Sequence, residues 1–445
     1  MTVAQVSAAR RNTELSLLVL ALIVGGTALA LVAVAQDAGD AGSAMPFAIA
    51  LVVCYAVTHV IVRRSSRAGD PLILPLAAAL NAIGLAAIFR LAPEELAPAQ
   101  VTWTVVGIAC FIATLLLLPD YRVLARYKYV LGFTGLGLLL LPATPLGTEI
   151  NGARLWIRIG GMSFQPGEIA KLCLVIFFAA YLAERKELLA IASRRVAGIH
   201  LPDIKHFGPL LVMWGVSLAV MFYEKDLGSS LLFFSIFLVM LYIATARLVY
   251  MAFGFLLFLA GAYIGYQVFA HVQVRVRVWL DAFNPDLIQN QSFQIVQSLF
   301  ALATGGLFGT GWGQGRPGLI PEAPTDFIFS VIGEELGLLG TAAVLVSFLL
   351  LVARGLRIAL HARNDFGQLL AAGLTVILGV QTFIILGGVT RLLPLTGITL
   401  PFMSYGGSSL LSNFILIGLL LRISHQSASE PDPAATGEIL IGGRR

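Results

Sequence analysis

Leu319-Ile320-Pro321-Glu322-Ala323-Pro324-Thr325-Asp326-Phe327-Ile328-Phe329-Ser330 is a proline-containing turn that runs straight into an apolar helix. Gly333-Glu334-Glu335-Leu336-Gly337 follows on the same run, and the apolar stretch extends to residue 353. A run of that length exceeds the roughly 20 residues needed to cross a hydrocarbon core of about 30 Å. Asp326 therefore stands at a membrane boundary. An apolar wall raises a carboxyl pKa there, the condition a general base needs to act on a lipid-borne substrate. A transport protein uses such a residue too, and Thr325 and Asp326 both suit plain helix capping. Four acids at one helix start (Glu322, Asp326, Glu334, Glu335) exceed what capping requires.

Working outward, the 445 residues are 58% hydrophobic and only 12% charged, which places the chain among polytopic membrane proteins and excludes a soluble enzyme. Cys54, Cys110 and Cys173 all lie in apolar runs without a CxxC pair or a Cys/His cluster. They read as packing residues, so neither a disulfide framework nor a zinc site is expected. The first apolar run follows Arg10-Arg11 and has no convincing small-residue cleavage site, so it reads as a retained span.

Apolar runs at 15–35, 46–62, 72–90, 102–118, 127–141, 166–183, 209–223, 228–244, 248–270, 326–353, 367–390 and 405–421 predict twelve transmembrane helices. Two of them, 127–141 and 209–223, are short. With the N-terminus inside, 20 of the 29 Lys and Arg fall in cytoplasmic segments, while Asp37, Asp40, Glu94 and Glu95 occupy early outer loops. That is the positive-inside pattern, and it predicts both termini in the cytoplasm. Outer segments 142–165 and 271–325 are too long to be plain connectors. The second holds an amphipathic stretch at 294–302 and a Gly-rich turn at 305–315, and is expected to fold back against the bilayer surface. The Ser/Pro/Ala/Gly-rich end after Arg422 reads as a flexible cytoplasmic tail.

Further candidates carry a functional and a plain reading each. Glu168 and Lys171 share a helix face after Gln165-Pro166, as an interfacial ion pair or as an acid matched to a pyrophosphate-binding cation. Lys225-Asp226 precedes Gly228-Ser229-Ser230 between two short runs, facing a cavity or merely resting at the interface. Trp156, between Arg154 and Arg158, is a belt anchor or part of an anion-binding surface. The 393–409 segment, with Pro394, Pro401, Gly397, Gly406, Gly407 and Ser408, is irregular at membrane depth and must line protein or a cavity. No nucleotide loop, metal-ligand triad or Ser-His-Asp set is present.

Five motifs carry a resemblance: Asn151-Gly152-Ala153 to Trp156-Ile157, Phe164-Gln165-Pro166 to Lys171, Asp226-Leu227-Gly228, Pro321-Glu322 to Phe329, and Pro401 to Ser409. In this order they resemble the SEDS family (shape, elongation, division, sporulation) of membrane peptidoglycan glycosyltransferases. The resemblance covers about residues 70–422 and implies an all-α ten-helix core. Residues 1–14 would be a cytoplasmic N-terminus, 15–69 two added helices and 423–445 the tail. Gly167, Leu155 and Glu224-Lys225 depart from the residues usual at those motif positions. The Asn151 to Gly161 and Asp226 to Ser230 stretches look closer to RodA-type elongation members than to FtsW-type division members.

The resemblance implies polymerisation of lipid II at the outer face of the bacterial cytoplasmic membrane. Asp326 would be the catalytic residue, deprotonating or electrostatically assisting the acceptor hydroxyl. Trp156, Arg154, Glu168, Lys171, Asp226, Glu322 and Ser408 would bind substrate. It further implies a divalent cation, Mg or Mn, and a class B penicillin-binding protein as partner, with membrane lipids around the chain and no nucleic acid. A lipid II flippase is the rival from another class, but it needs polar residues through the whole bilayer depth. The acids and cations here gather at the outer ends of spans.

Overall fold

The computed structural model describes residues 3–36, 42–150, 153–159, 162–190, 194–196, 199–201, 204–224 and 226–429. Asp37, Asp40, Asn151, Gly152, Lys225 and most of the proposed tail lie outside the described residues. The chain opens with α1 (Val3–Gln36), α2 (Met45–Ser65), α3 (Ile73–Leu91), α4 (Leu96–Leu117), the single turn α5 (Val123–Arg126) and α6 (Lys128–Leu140). Three strands follow, β1 (Gly147–Ile150), β2 (Ala153–Ile159) and β3 (Met162–Phe164), then α7 (Pro166–Ala190), the short pair β4 (Arg194–Val196) and β5 (Ile199–Leu201), α8 (Ile204–Tyr223), α9 (Leu227–Thr245) and α10 (Leu248–Val268). The chain continues through α11 (Ala270–Leu280), α12 (Phe293–Gly305), α13 (Ile328–His361), α14 (Asp365–Val389) and α15 (Gly407–Ser429).

Ten of these helices are long and apolar enough to cross a membrane. The apolar helices Lys128–Ala143 and Gly208–Tyr223 are shorter, and they coincide with the two runs that stand out as short in the sequence. The protein is thus a polytopic membrane protein. Helices α3, α7, α14 and α15 form its most buried part, whereas α10 turns nearly all of its surface outward, as a lipid-facing span does. Close approach within the bundle relies on small residues: a Cβ built on Gly107 would reach 2.5 Å from the Phe414 ring.

Away from the Asp326 end, polar ties hold the start of the bundle. Arg11 pairs with Glu14, whose other oxygen lies 2.8 Å from Nδ1 of His59. The Arg10 guanidinium donates to the Ala68 carbonyl at 2.7 Å, and Nε of Arg354 donates to Asp70 at 2.8 Å. These ties fasten α1 and α2 to the family-like core just where that core was expected to begin.

One of the two long connecting segments departs from an all-helical reading and the other does not. Residues 147–164 form an antiparallel sheet in the order β1-β2-β3, with Trp156 opposite Thr148 and Arg158 opposite Ser163. Along Arg154–Ile159, Arg154, Trp156 and Arg158 alternate with Leu155, Ile157 and Ile159, the period of a strand with two unlike faces. Segment 271–325 is built from α11, α12 and turns. Helix α12 covers the expected amphipathic stretch, whereas α11 extends the helical path beyond α10.

Candidate functional site

The turn before α13 is wound around one carbonyl. The Glu322 carbonyl accepts from the amides of Thr325 (3.2 Å), Asp326 (3.1 Å) and Phe327 (3.4 Å). Glu322 itself sits at φ 56°, a left-handed conformation that costs a non-glycine residue about 1–2 kcal/mol. The amide of Tyr405 donates to the Pro324 carbonyl at 2.8 Å, docking the turn onto the irregular 393–409 segment. Helix α13 begins at Ile328 with Phe327 at its N-cap and no side-chain cap. The Asp326 carboxylate is therefore not spent on capping, which removes the plain reading of this residue.

It faces a cavity of about 850 Å³. Asp326, Glu322, Asp226, Glu168, Trp156 and Ser408 all line it, so six residues from five separate motifs converge on one chamber. Burial, with the neighbouring Glu322 charge, pushes the Asp326 carboxyl up to about 7. Arg275 and the Thr325 hydroxyl oppose that rise.

The remaining two expected binding residues fall elsewhere. Arg154 is exposed, and its guanidinium is tied to the carbonyls of Gly147 (3.2 Å) and Thr144 (2.8 Å), bracing the sheet outside the cavity. Lys171 is 3% exposed and lies one helical turn deeper than Glu168. Its ammonium donates to Glu168 at 2.9 Å and to the Gln381 amide oxygen at 3.0 Å. The Ser412 hydroxyl also donates to Glu168, at 2.9 Å. Lys171 does not line the cavity, and two of its three N–H donors are taken up beneath it.

Asp226 does double service. Its Oδ1 caps α9 by accepting from the Ser229 amide at 2.9 Å, while burial raises its pKa. Glu224, one of the departures from the family pattern, is buried beside it with Oε1 unpartnered. Burial and the Asp226 charge push that carboxyl up to about 8.

The sequence did not single out the cations that actually line the chamber, Arg275 and Arg391. Arg275 on α11 donates to the Thr396 carbonyl at 3.1 Å and sits close enough to Asp226 and Asp326 to feel both charges. Arg391 donates from Nε to the Trp279 carbonyl and from Nη2 to Leu280, both at 2.8 Å. Trp279 returns a bond from its indole N–H to the Arg391 carbonyl at 3.2 Å. This reciprocal latch fixes α11 against the end of α14. Trp103, Trp156, Trp279 and Tyr405 supply aromatic faces along the wall, surfaces on which sugar rings stack. A signal existed in the sequence, since both arginines fall in segments that the charge pattern assigns to the outer side, against its own trend.

Glu334 and Glu335 belong to a different structure. Glu335 accepts from Arg90 Nε (3.0 Å) and the Gly313 amide (3.0 Å), and Glu334 accepts from the Arg316 amide (2.8 Å). Arg90 also donates to the Gly315 carbonyl at 3.0 Å. The pair clasps the Gly-rich turn and does not line the cavity. Just beyond, α13 breaks at Gly337 (φ 65°), where the Gly-rich turn passes so near that a Cβ would lie 2.3 Å from the Gly309 amide nitrogen. Asp326 thus precedes a short helix, 328–336, set off from the long span that follows.

A multi-helix membrane bundle of this kind is the fold that comparison with known proteins finds again. The family model for cell cycle proteins of the FtsW, RodA and SpoVE type matches residues 72–429, and this chain belongs to that family. The peptidoglycan glycosyltransferase RodA of Mycobacterium tuberculosis is 46% identical over 428 residues, 94% of this chain and 91% of that protein. Its counterpart in Mycobacterium leprae is 47% identical over 432 residues, 95% and 92% respectively. A probable peptidoglycan glycosyltransferase FtsW from Geobacter metallireducens is 37% identical over 336 residues, 75% of this chain and 85% of that one. Among solved structures, a chain from a peptidoglycan synthase complex that coordinates polymerization and crosslinking superposes with TM-score 0.67 at 28% identity, over 82% of this chain and 99% of its own. Thermus thermophilus RodA superposes with TM-score 0.56 at 27% identity, over the same shares.

Proposed function

We infer that this chain is a peptidoglycan glycosyltransferase that polymerises lipid II. The observation that carries the mechanism is the uncapped Asp326 carboxylate facing the chamber, its pKa brought near neutrality by burial and Glu322. At that pKa about half of the carboxylate is ionised near pH 7 and able to accept a proton, and its conjugate acid is weak enough to hold it. In the transfer step, the acceptor sugar hydroxyl attacks the anomeric carbon of the lipid-linked donor. A carbon–oxygen bond forms to the acceptor, the bond to the pyrophosphate oxygen breaks, and the hydroxyl proton passes to Asp326. Arg275 and Arg391 are the cations that line the chamber and so the candidates to meet a departing pyrophosphate, whereas Lys171 lies outside that lining.

Among the described residues no three His, Cys, Asp or Glu side chains are gathered closely enough to hold a metal ion alone. Mg needs only one or two carboxylates when phosphate oxygens and water complete its shell, so Asp326 and Glu322 fit such an ion. When bound, it would neutralise charge on the pyrophosphate.

The identity of 46–47% to relatives named for RodA, against 37% to one named for FtsW, supports work in elongation and shape maintenance. The positive-inside charge pattern supports a chamber opening at the outer face of the cytoplasmic membrane, with both termini inside. The likeness to a chain from a polymerising and crosslinking complex supports a class B penicillin-binding protein as partner.

The test is polymerisation of labelled lipid II by the purified chain, with and without that partner, beside Asp326→Ala. Glycan ladders that vanish in the variant are expected. Ladders of undiminished yield from Asp326→Ala would end the catalytic assignment. Transbilayer movement of lipid II without ladders would favour a flippase instead.

A further inference from the structure

Helices α1 and α2 precede the family-matched region, and the solved relatives superpose on 82% of this chain. Their placement gives α1 a contact that a passive anchor does not need. Along its length α1 packs on α3, so tightly that a Cβ on Gly25 would stand 2.3 Å from the Ala82 Cβ. At its far end the last turn meets the clasp around Glu335. The Gln36 amide donates to the Arg90 carbonyl at 2.7 Å. Gly313 lies against α1, where a Cβ would fall 2.4 Å from the Ala35 Cβ and 3.8 Å from Val32.

Arg90 and Gly313 are the two groups that hold the Glu335 carboxylate, one through Nε and one through its amide. Glu335 in turn sits on the short 328–336 helix whose start carries Asp326, cut loose from the long span by the Gly337 break. A shift of Gly313 or Arg90 therefore moves the short helix as a unit rather than bending a continuous rod. Displacing a reacting group by about 1 Å can cost on the order of 100-fold in rate.

We propose that Ala35 and Gln36, at the end of the appended helix α1, are positioning residues for the transfer reaction, setting Asp326 through Gly313, Arg90 and Glu335. This rests on the glycosyltransferase reading of the chamber. The segment outside the family match is thereby part of what aligns the reacting carboxylate.

The experiment measures lipid II polymerisation by the full-length chain in lipid nanodiscs, with kcat and KM resolved. Gly313 holds φ 76°, so Gly313→Ala strains the backbone and also drives a methyl into Ala35; Ala35→Gly removes the obstructing methyl, and the double variant isolates that steric part. Gly313→Ala is expected to lower kcat about tenfold with KM within about twofold, the split a displaced reacting group gives. Ala35→Gly alone should stay near wild type and should restore part of the lost kcat in the double variant, the backbone strain at position 313 remaining. Gln36→Ala provides an independent route, lowering kcat through Arg90 with no added bulk, and Leu20→Ala on the exposed face of α1 serves as a control that leaves kcat unchanged. Failure of Ala35→Gly to restore any kcat, or wild-type kcat in both Gly313→Ala and Gln36→Ala, overturns the positioning role while leaving the activity intact. A wild-type chain that makes no glycan overturns the functional reading itself.

Discussion

The position of the Asp326 pKa makes the pH dependence of polymerisation the sharpest check on its role. Desolvation is the main cause of the rise to about 7, and the Glu322 charge is the second. A base works only in its ionised form, so the rate should climb as pH rises through that value. With a midpoint near 7, roughly a tenth of the carboxylate is ionised at pH 6 and roughly nine-tenths at pH 8, a gain of about tenfold. Glu322→Gln removes the like charge, so the Asp326 pKa falls and the profile moves to lower pH, with the plateau kept. Arg275→Gln removes the opposing cation and moves it to higher pH. Asp326→Asn abolishes the dependence and lowers the plateau by about 100- to 10,000-fold, the span a positioned base contributes. The assay is initial rate of glycan formation from labelled lipid II at constant ionic strength. A profile flat from pH 6 to 8 in the parent chain, or an unmoved midpoint in Glu322→Gln, would refute the reasoning.

Three other outcomes follow from the geometry. Arg275→Gln should lower kcat/KM by about 10- to 100-fold, the loss of one charge-assisted bond to the pyrophosphate, whereas Arg154→Gln outside the chamber should leave it within about twofold; equal losses would place both in contact with substrate. Glu335→Ala leaves Arg90 and the Gly313 amide without their acceptor and should cost about 3 kcal/mol in a detergent melt, against less than about 1 kcal/mol for Lys186→Ala, whose pair with Asp365 is exposed on both sides. Gly337→Ala needs a left-handed backbone and meets the Gly309 amide at once, so it should destabilise by at least about 1–3 kcal/mol and lower polymerisation too; a normal melt would mean that the break in α13 can straighten.

Much of this site is legible in the sequence because membrane proteins punish stray polarity. Asp326 stands out as an acid at a helix start, and the irregular 393–409 segment can exist at that depth only against a cavity. The four-acid cluster, by contrast, reads as one feature and folds as two. Nothing in the linear spacing tells that a Gly-rich turn arrives from 305–315 to occupy Glu334 and Glu335. Helix α11 is hidden for another reason: Val272 to Val278 alternates apolar and polar residues with the period of a strand, and tertiary packing against the end of α14 makes it helical. Arg275 and Arg391 are hidden with it. Arg154 errs the other way: it shares a strand face with Trp156, but the Gly147 and Thr144 carbonyls hold its guanidinium outside the chamber, and no motif shows them. Of the two readings of Glu168 and Lys171 the ion pair forms, and only the depth of Lys171 along α7 shows that it lies outside the chamber lining.

That depth has a consequence for how product leaves. Lys171, Gln381 and Ser412 each lie deeper along α7, α14 and α15 than the residues lining the chamber, and Glu168 and Lys171 knit them with charge-assisted bonds. Passing a sugar through that layer would break three such contacts, each worth about 1.5–3 kcal/mol. The bundle is bolted shut below the reacting carboxylate. That layer closes the route through the bundle, so what is made at Asp326 has to leave on the chamber side of it.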